Sequence, residues 1–280
     1  MLKRKQILAF FLVLITGGVI YYYNSDTGFE IKENKEEIYE EVITNKDSLQ
    51  NANVKSISFL LPKPTSNQIV KHTKFVLSYN ETHEQADWVA YKLDKNSINN
   101  SVKRKDNFRV DPKVTTISAS LPDYKNSGYD RGHLAPAKAM SFSKETMSES
   151  FYMSNMSPQK PSFNRGIWKK LEEQVRDWIA ISDSLYVVTG PVLDNSLEVI
   201  GENKVTVPRA YYKTILRFKN AKIYGIGFLL KNEKSSRALQ TFSTSIDSIE
   251  KVTQLDFYYL LADDIENIVE KNKILSNFLK

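Results

Sequence analysis

Histidine is scarce in this chain, three in 280 residues, and one of the three stands in the run YDRGHLAPAKAM, residues 129 to 140. There His133 directly follows Asp130, Arg131 and Gly132. A neutral imidazole, with a reference pKa of about 6.5, accepts a proton near neutral pH. An arginine two residues earlier falls on the same side of the chain if the segment is extended. Cleavage of a phosphodiester needs a base for the attacking water, fixed positive charge for the phosphorane and an acid for the leaving oxygen. His133 and Arg131 have the chemistry of the first two. Taken alone, Arg-Gly-His is a short pattern with little specificity.

Other chemistries fare worse. The chain has no cysteine, which removes thiolate nucleophiles, disulfides and cysteine-based zinc sites together. His72 and His83 flank one predicted strand and read as structural or exposed rather than as ligands. No Gly-x-Ser-x-Gly elbow is present, although a serine triad is defined by geometry and needs no such motif. A lone histidine supported by arginine and oxygen donors suits magnesium, which prefers oxygen ligands, keeps several waters and needs only one or two protein groups.

The segment YMSNMSPQKPSFNRGIWKKLEEQ, residues 152 to 174, adds Asn155, Asn164 and Glu172. The combination of DRGH, SNMSPQ and FNRGIWKKLE resembles the DNA/RNA non-specific endonuclease family of the ββα-metal superfamily, to which endonuclease G belongs. YNETHEQADWVAYKL upstream, and VVTGPVL and VPRAYYKTIL downstream, are similar to the same family, so that the likeness covers residues 60 to 265. The resemblance implies a magnesium-dependent endonuclease acting on DNA and RNA with little sequence preference and leaving 5′-phosphates, with manganese or another divalent cation as alternatives. It implies His133 as general base, Asn164 as the one side chain bound directly to the metal, Arg131 beside the scissile phosphate, and Asn155 and Glu172 holding His133 and the metal waters. It also implies a basic residue upstream, for which SVKRKDNFRVDP offers Arg104 first, with Lys103 and Arg109 as competitors. Helix geometry agrees with part of this. Asn164 and Glu172 lie eight residues apart, about 12 Å along a regular helix, too far to share one magnesium at about 2.1 Å. Asn164 also reads as a plain helix cap, and Glu172 as a solvated helix charge beside Glu173.

These residues need elements to hold them. HTKFVLSYN and DWVAYKLD alternate as paired strands, SLYVVTGPVL reads as a strand ending at Gly190-Pro191, and AYYKTILRF and KIYGIGFLL as a further pair around Lys219-Asn220-Ala221. Gly225 and Gly227 lie within that last strand pattern and open no helix, so they make no dinucleotide loop. FNRGIWKKLEEQVRDWIAI places Ile167, Leu171, Val175 and Trp178 at helical spacing, and SIDSIEKVTQL starts another helix with Ser245 or Asp247 as cap. Strands and helices without regular alternation predict an α+β fold, a mixed β-sheet with flanking helices. With 41% hydrophobic residues the chain can fill a sizeable core. One domain over residues 55–280 is the simplest organisation.

Ahead of it, Lys3, Arg4 and Lys5 precede an uncharged apolar run from Ile7 to Tyr23. This reads as an export signal over residues 1–23, retained as a membrane anchor in preference to being cleaved, with the remainder outside the cytoplasm. Residues 24–54 form an acidic spacer, with eight acidic residues against three lysines by residue 50. The chain carries +6 overall, so the remainder is more basic than the total suggests, and a polyanionic partner fits it. Residues 92 to 113 hold seven basic residues against three aspartates and are expected to track a phosphate backbone. Two rival readings remain at this level: a nucleic-acid-binding protein of the same fold without catalysis, and a hydrolase of another phosphodiester or of a triad-type ester.

Overall fold

In the computed structural model, which describes residues 15–16, 19–24, 28–32, 60–97, 102–273, 275 and 278, the chain forms two units, 1–46 and 47–280. The first contains three short antiparallel strands, β1 (Ile15–Thr16), β2 (Val19–Asn24) and β3 (Gly28–Lys32). The expected anchor over 1–23 thus lies partly outside the described residues, as does most of the acidic spacer. Among the described residues no helix is long and apolar enough to cross a membrane.

The second unit is built on a seven-stranded sheet in the order β14-β13-β12-β9-β6-β5-β4. Its members are β4 (Gln68–Lys71), β5 (Phe75–Asn80), β6 (Gln85–Asp94), β9 (Ser184–Val192), β12 (Ala210–Lys219), β13 (Lys222–Lys231) and β14 (Ser243–Thr244). The predicted strand pairs form as expected, and every pairing in this sheet is antiparallel. The β12–β13 hairpin turns on Asn220 and Ala221, both with positive φ, the backbone that a two-residue turn matched to strand twist requires. Two further ribbons lie outside the sheet, β7 (Asp130–His133) with β8 (Met156–Gln159), and β10 (Val199–Ile200) with β11 (Val205–Thr206).

Helices cover both faces, so β9 and β12 are buried along nearly their whole length and read as apolar runs rather than as alternation. The short helices are α1 (Leu121–Tyr124), α2 (Lys144–Glu149) and α3 (Pro161–Phe163). On one face α4 (Lys169–Ile179) buries Leu171, Val175, Trp178 and Ile179 against a core that includes Tyr91, Val187, Ile215 and Phe228. The opposite face carries α5 (Ile246–Thr253) and α6 (Asp263–Lys271). A side chain at Gly225 would overlap the backbone carbonyl of Val269 on α6. That glycine serves close helix packing, in keeping with its place inside a strand.

The strands β6 and β9 are sheet neighbours, yet about ninety residues separate them in the chain. That excursion carries the β7–β8 ribbon and the helical run into α4, and with them His133, Asn164 and Glu172.

Candidate active site

Arg131 and His133 come from β7, which pairs with β8 in the register Gly132 to Ser157 and His133 to Met156. The pairing is close at Gly132: any side chain there would overlap that of Gln159, which is fully buried. Past β7 the chain is clamped by Asn155. Its Oδ1 accepts from the Ala135 backbone N–H at 2.8 Å, and its Nδ2 donates to the carbonyls of Ala135 at 3.0 Å and Ser150 at 2.8 Å. Asn155 is fully buried and does not line the cleft. Both its amide protons are used on backbone, so it acts on His133 through the main chain and not by holding metal waters.

Helix α3 leads into a wider turn over Asn164–Trp168, which departs from helical dihedrals at Gly166 (φ −107°, ψ −111°) before α4 begins. The path from Asn164 to Glu172 is therefore not the regular helix that the sequence spacing assumes. Phe163 and Trp168 fix this turn on the sheet, stacking at 5.4 Å on each other and, for Phe163, at 5.3 Å on Tyr211. Asn164 is not a plain cap. Its Nδ2 donates to Asp130 Oδ2 at 2.9 Å, which orients the amide and leaves Oδ1 as the end available to a ligand. Asp130 is itself held by a two-point pair with Arg165, at 2.9 and 2.7 Å.

These groups converge on a cleft of about 870 Å³ lined by Arg131, His133, Asn164 and Glu172, with Arg104 and Arg176 among its further cations. The ring of His133 sits edge-on to Phe151, centroids 4.8 Å apart, and near Phe108 at 5.8 Å. Its Nε2 is shielded with no hydrogen-bond partner, which leaves Nδ1 as the nitrogen that faces the opening. Burial first, then the charges of Arg104 and Arg131, push the His133 pKa down to about 3. Arg131 is exposed, with its guanidinium 4.3 Å over the Phe108 ring, an arrangement that holds the charge in place without neutralising it.

Glu172 faces the cleft, whereas its neighbour Glu173 is exposed and meets Lys169 at 3.7 Å. The two acids, indistinguishable by pattern, are separated by the helix face. Burial pushes Glu172 up to about 7 against the opposing fields of Lys213, Arg176 and Arg104. Lys213 lies on β12 beneath it, fully buried, with Nζ 4.7 Å over the Trp168 ring and 3.5 Å from the Tyr91 hydroxyl. Burial lowers its pKa to about 8, with Glu172 acting to raise it.

Of the upstream basic candidates, Arg104 lines the cleft, paired with Asp106 at 2.6 Å and lying over Phe151 at 5.0 Å. Lys103 is exposed and does not line it. Arg109 is turned away: it stacks on Tyr152 at 3.9 Å and donates to the carbonyls of Asn107 and Ser148. The expected basic track over 92–113 disperses for the same reason. Lys92 lies over Tyr186, Lys113 donates to the Lys71 carbonyl, and Arg104 alone of the seven reaches the cleft. Instead Lys125, Lys138, Arg165, Lys169 and Arg176 supply its positive wall. His72 and His83 are buried and structural, bonded to Asp111 and Thr206 at 2.9 Å each.

The donor set fits a hard divalent cation: a neutral amide oxygen on Asn164 and the Glu172 carboxylate, with no cysteine or second histidine in the cleft. Asp130 and Lys213 escaped the sequence reading. Asp130 stood within the DRGH run as a charge with no assigned task. Lys213 was signalled by a lone charge inside the apolar run AYYKTIL, on a buried strand.

Comparison with known proteins agrees with this geometry. The family model described as DNA/RNA non-specific endonuclease matches residues 53–264. Human mitochondrial nuclease EXOG is 34% identical over 217 residues, 70% of this chain and 59% of that protein. Human mitochondrial endonuclease G is 32% identical over 205 residues, 68% of this chain and 69% of that protein. A nuclease from Nostoc sp. is 29% identical over 217 residues, 73% and 78% of the two chains. Among solved structures, an EndoG chain crystallised with EndoGI superposes with a TM-score of 0.68 at 28% identity, covering 74% of this chain and 91% of that one.

Proposed function

Because the chain belongs to the DNA/RNA non-specific endonuclease family, whose members hydrolyse phosphodiester bonds, we propose that it is a magnesium-dependent endonuclease that cuts DNA and RNA with little sequence preference and leaves 5′-phosphates. The observation that carries the reading is the cleft itself, where an unprotonated His133 presents Nδ1 beside the fixed charge of Arg131 and the free amide oxygen of Asn164.

The residues divide the work. His133 Nδ1 takes the proton of the attacking water as its oxygen bonds to phosphorus and the bond to the 3′ oxygen breaks. Arg131 and Arg104 meet the charge that grows on the non-bridging oxygens, in a pocket whose aromatic floor keeps both guanidinium groups in place. Asp130 orients Asn164 and leaves its oxygen to hold a cation. Glu172 would accept hydrogen bonds from waters on that cation. Magnesium bound at Asn164, or manganese in its place, would supply Lewis-acid charge and an acidic water. Little sequence preference follows from the wall of lysine and arginine, because phosphate contacts fix position and carry no base information. The intact set of base, arginine and metal amide argues against a binding protein without catalysis.

Plasmid nicking with and without EDTA tests the reading, together with two variants. Activity is expected to vanish in EDTA. His133→Ala is expected to lose some two to four orders of magnitude in rate while still binding DNA and magnesium. Asn164→Ala is expected to weaken magnesium binding, with activity partly restored at high magnesium. EDTA-insensitive cleavage, or a His133→Ala protein that cuts normally, would sink it. The basic and apolar N-terminus supports export with membrane attachment; full-length protein found wholly in the soluble fraction would contradict the attachment.

A further inference from the structure

Far from the cleft, on the opposite face of the sheet, α5 and α6 bring three acidic side chains together. Carboxylate oxygens of Asp247 and Glu250 on α5 and of Glu270 on α6 lie within 4.8 Å of one another. Asp256 and Glu266 add to the same negative field. Among the described residues the one ion pair in this neighbourhood, Lys63 with Asp256 at 3.2 Å, is solvent-exposed and leaves the three untouched.

Glu270 is the residue that asks for a ligand. It is only 7% exposed, and its Oε1 has no hydrogen-bond partner among the described residues. A buried polar atom is ordinarily paired, and a buried charge is ordinarily paired or metal-bound. Glu270 also occupies the last turn of α6, where the carbonyl end of the helix adds further negative potential and favours a cation. Glu250 uses Oε1 to accept from the Phe257 backbone N–H at 2.8 Å, which keeps Oε2 free and the side chain oriented. The donors are all oxygen, the preference of hard cations. Oxygens within 4.8 Å of one another can be bridged by a central ion bonded at about 2.3–2.6 Å, the calcium range, and carboxylates drawn from two separate helices suit the flexible coordination of calcium better than the near-ideal octahedron that magnesium demands.

We propose that Asp247, Glu250 and Glu270 form a calcium-binding site, separate from the cleft, that ties α5 to α6. The alternative way to hold the cluster together is a protonated Glu270, since burial and the surrounding carboxylates push it up to about 9. The two make opposite predictions about calcium.

The test uses the full chain carrying Asn164→Ala, which removes the metal ligand of the cleft, and it reads melting temperature rather than activity. After EDTA dialysis, saturating calcium chloride is expected to raise the Tm by roughly 5 °C or more, with magnesium chloride giving a much smaller rise. Glu250→Gln/Glu270→Gln in the same background is expected to melt in EDTA no lower than its parent, since buried repulsion is relieved, and to lose the calcium response. Should the double variant fail to fold, Glu270→Gln alone is read in the same way. A Tm indifferent to calcium, a magnesium response as large as that of calcium, or a calcium response that survives the glutamine variants would each overturn the site.

Discussion

A histidine serves as a proton acceptor only while it is neutral, and in this cleft the cost of charging it is high. His133, pushed down to about 3 by burial and two arginines, stays neutral across the working range of a nuclease. In the proposed mechanism it therefore does not set the acid limb of the pH–rate profile; Glu172 is expected to, because burial raises it to about 7 and its carboxylate form would hold the waters of a bound cation. The charge beneath it controls that value: Lys213 is the largest influence lowering the Glu172 pKa. Removing the charge must move Glu172 further up, so that less of it is ionised at neutral pH. Lys213→Met, which keeps most of the buried stem, is expected to shift the acid-side inflection of kcat/KM to higher pH. For a displacement of about one unit the loss is expected to be roughly fivefold at pH 7, where the ionised fraction falls from about a half to about a tenth, and to shrink as the pH is raised. A loss equal at every pH would mean that Lys213 serves packing alone. The linkage to stability runs with the opposite sign to activity. A carboxyl raised by folding contributes stability below its unfolded value of 4.5 and loses that contribution as pH rises through about 7.

The ribbon and the helix set the positions of these groups, and here the sequence was only partly legible. The element types could be read because their patterns are local: alternation in β5 and β6, the 3.6-residue period in α4, and the cap at Ser245, whose Oγ accepts from the Ser248 N–H at 3.2 Å. The roles of single polar residues could not, because they depend on contacts from distant parts of the chain. Asn155 reads as a site residue yet serves the backbone, and Arg109 reads as a phosphate contact yet lies on Tyr152. Lys213 joins the site from forty-one residues after Glu172, the site group whose charge it opposes. The glycine between Arg131 and His133 is legible only with the ribbon in place. A methyl group at Gly132 would collide with the side chain of Gln159, which is fully buried, and parting β7 from β8 is the expected response. Since β7 carries both Arg131 and His133, Gly132→Ala is expected to cut kcat by about two orders of magnitude, the scale of a misplaced catalytic group. The main sheet and α4 should remain folded, because their core does not include the ribbon's inner contact. Near-normal activity with an unchanged circular dichroism spectrum would show that Gln159 can move aside.

For the molecule as a whole, the sequence and the structure locate the positive charge differently. Residues 92–113 hold the densest basic run of the globular part, yet their side chains scatter among aromatic rings and backbone carbonyls. The cleft gathers its cations from four separate stretches: Arg104, then Lys125 and Arg131, then Lys138, then the helical run with Arg165, Lys169 and Arg176. Several of these are committed elsewhere, Arg104 to Asp106, Arg165 to Asp130 and Lys169 to Glu173. That leaves Lys125, Arg131, Lys138 and Arg176 as the cations with no such ion pair among the described residues. Each phosphate neutralised on duplex DNA releases counterions with a log–log slope of about −0.9, so four contacts correspond to a slope near −3.6, or roughly a 150-fold loss of affinity between 50 and 200 mM salt. Measured on the His133→Ala protein, which binds without cutting, Lys125→Ala/Lys138→Ala is expected to lower the slope by about 2 on any duplex sequence. Lys92→Ala/Lys113→Ala removes the same formal charge from the chain but not from the cleft. Its slope should match the parent, because those two ammonium groups already sit on Tyr186 and on the Lys71 carbonyl. Equal effects from the two pairs would mean that net charge, and not the cleft, governs binding.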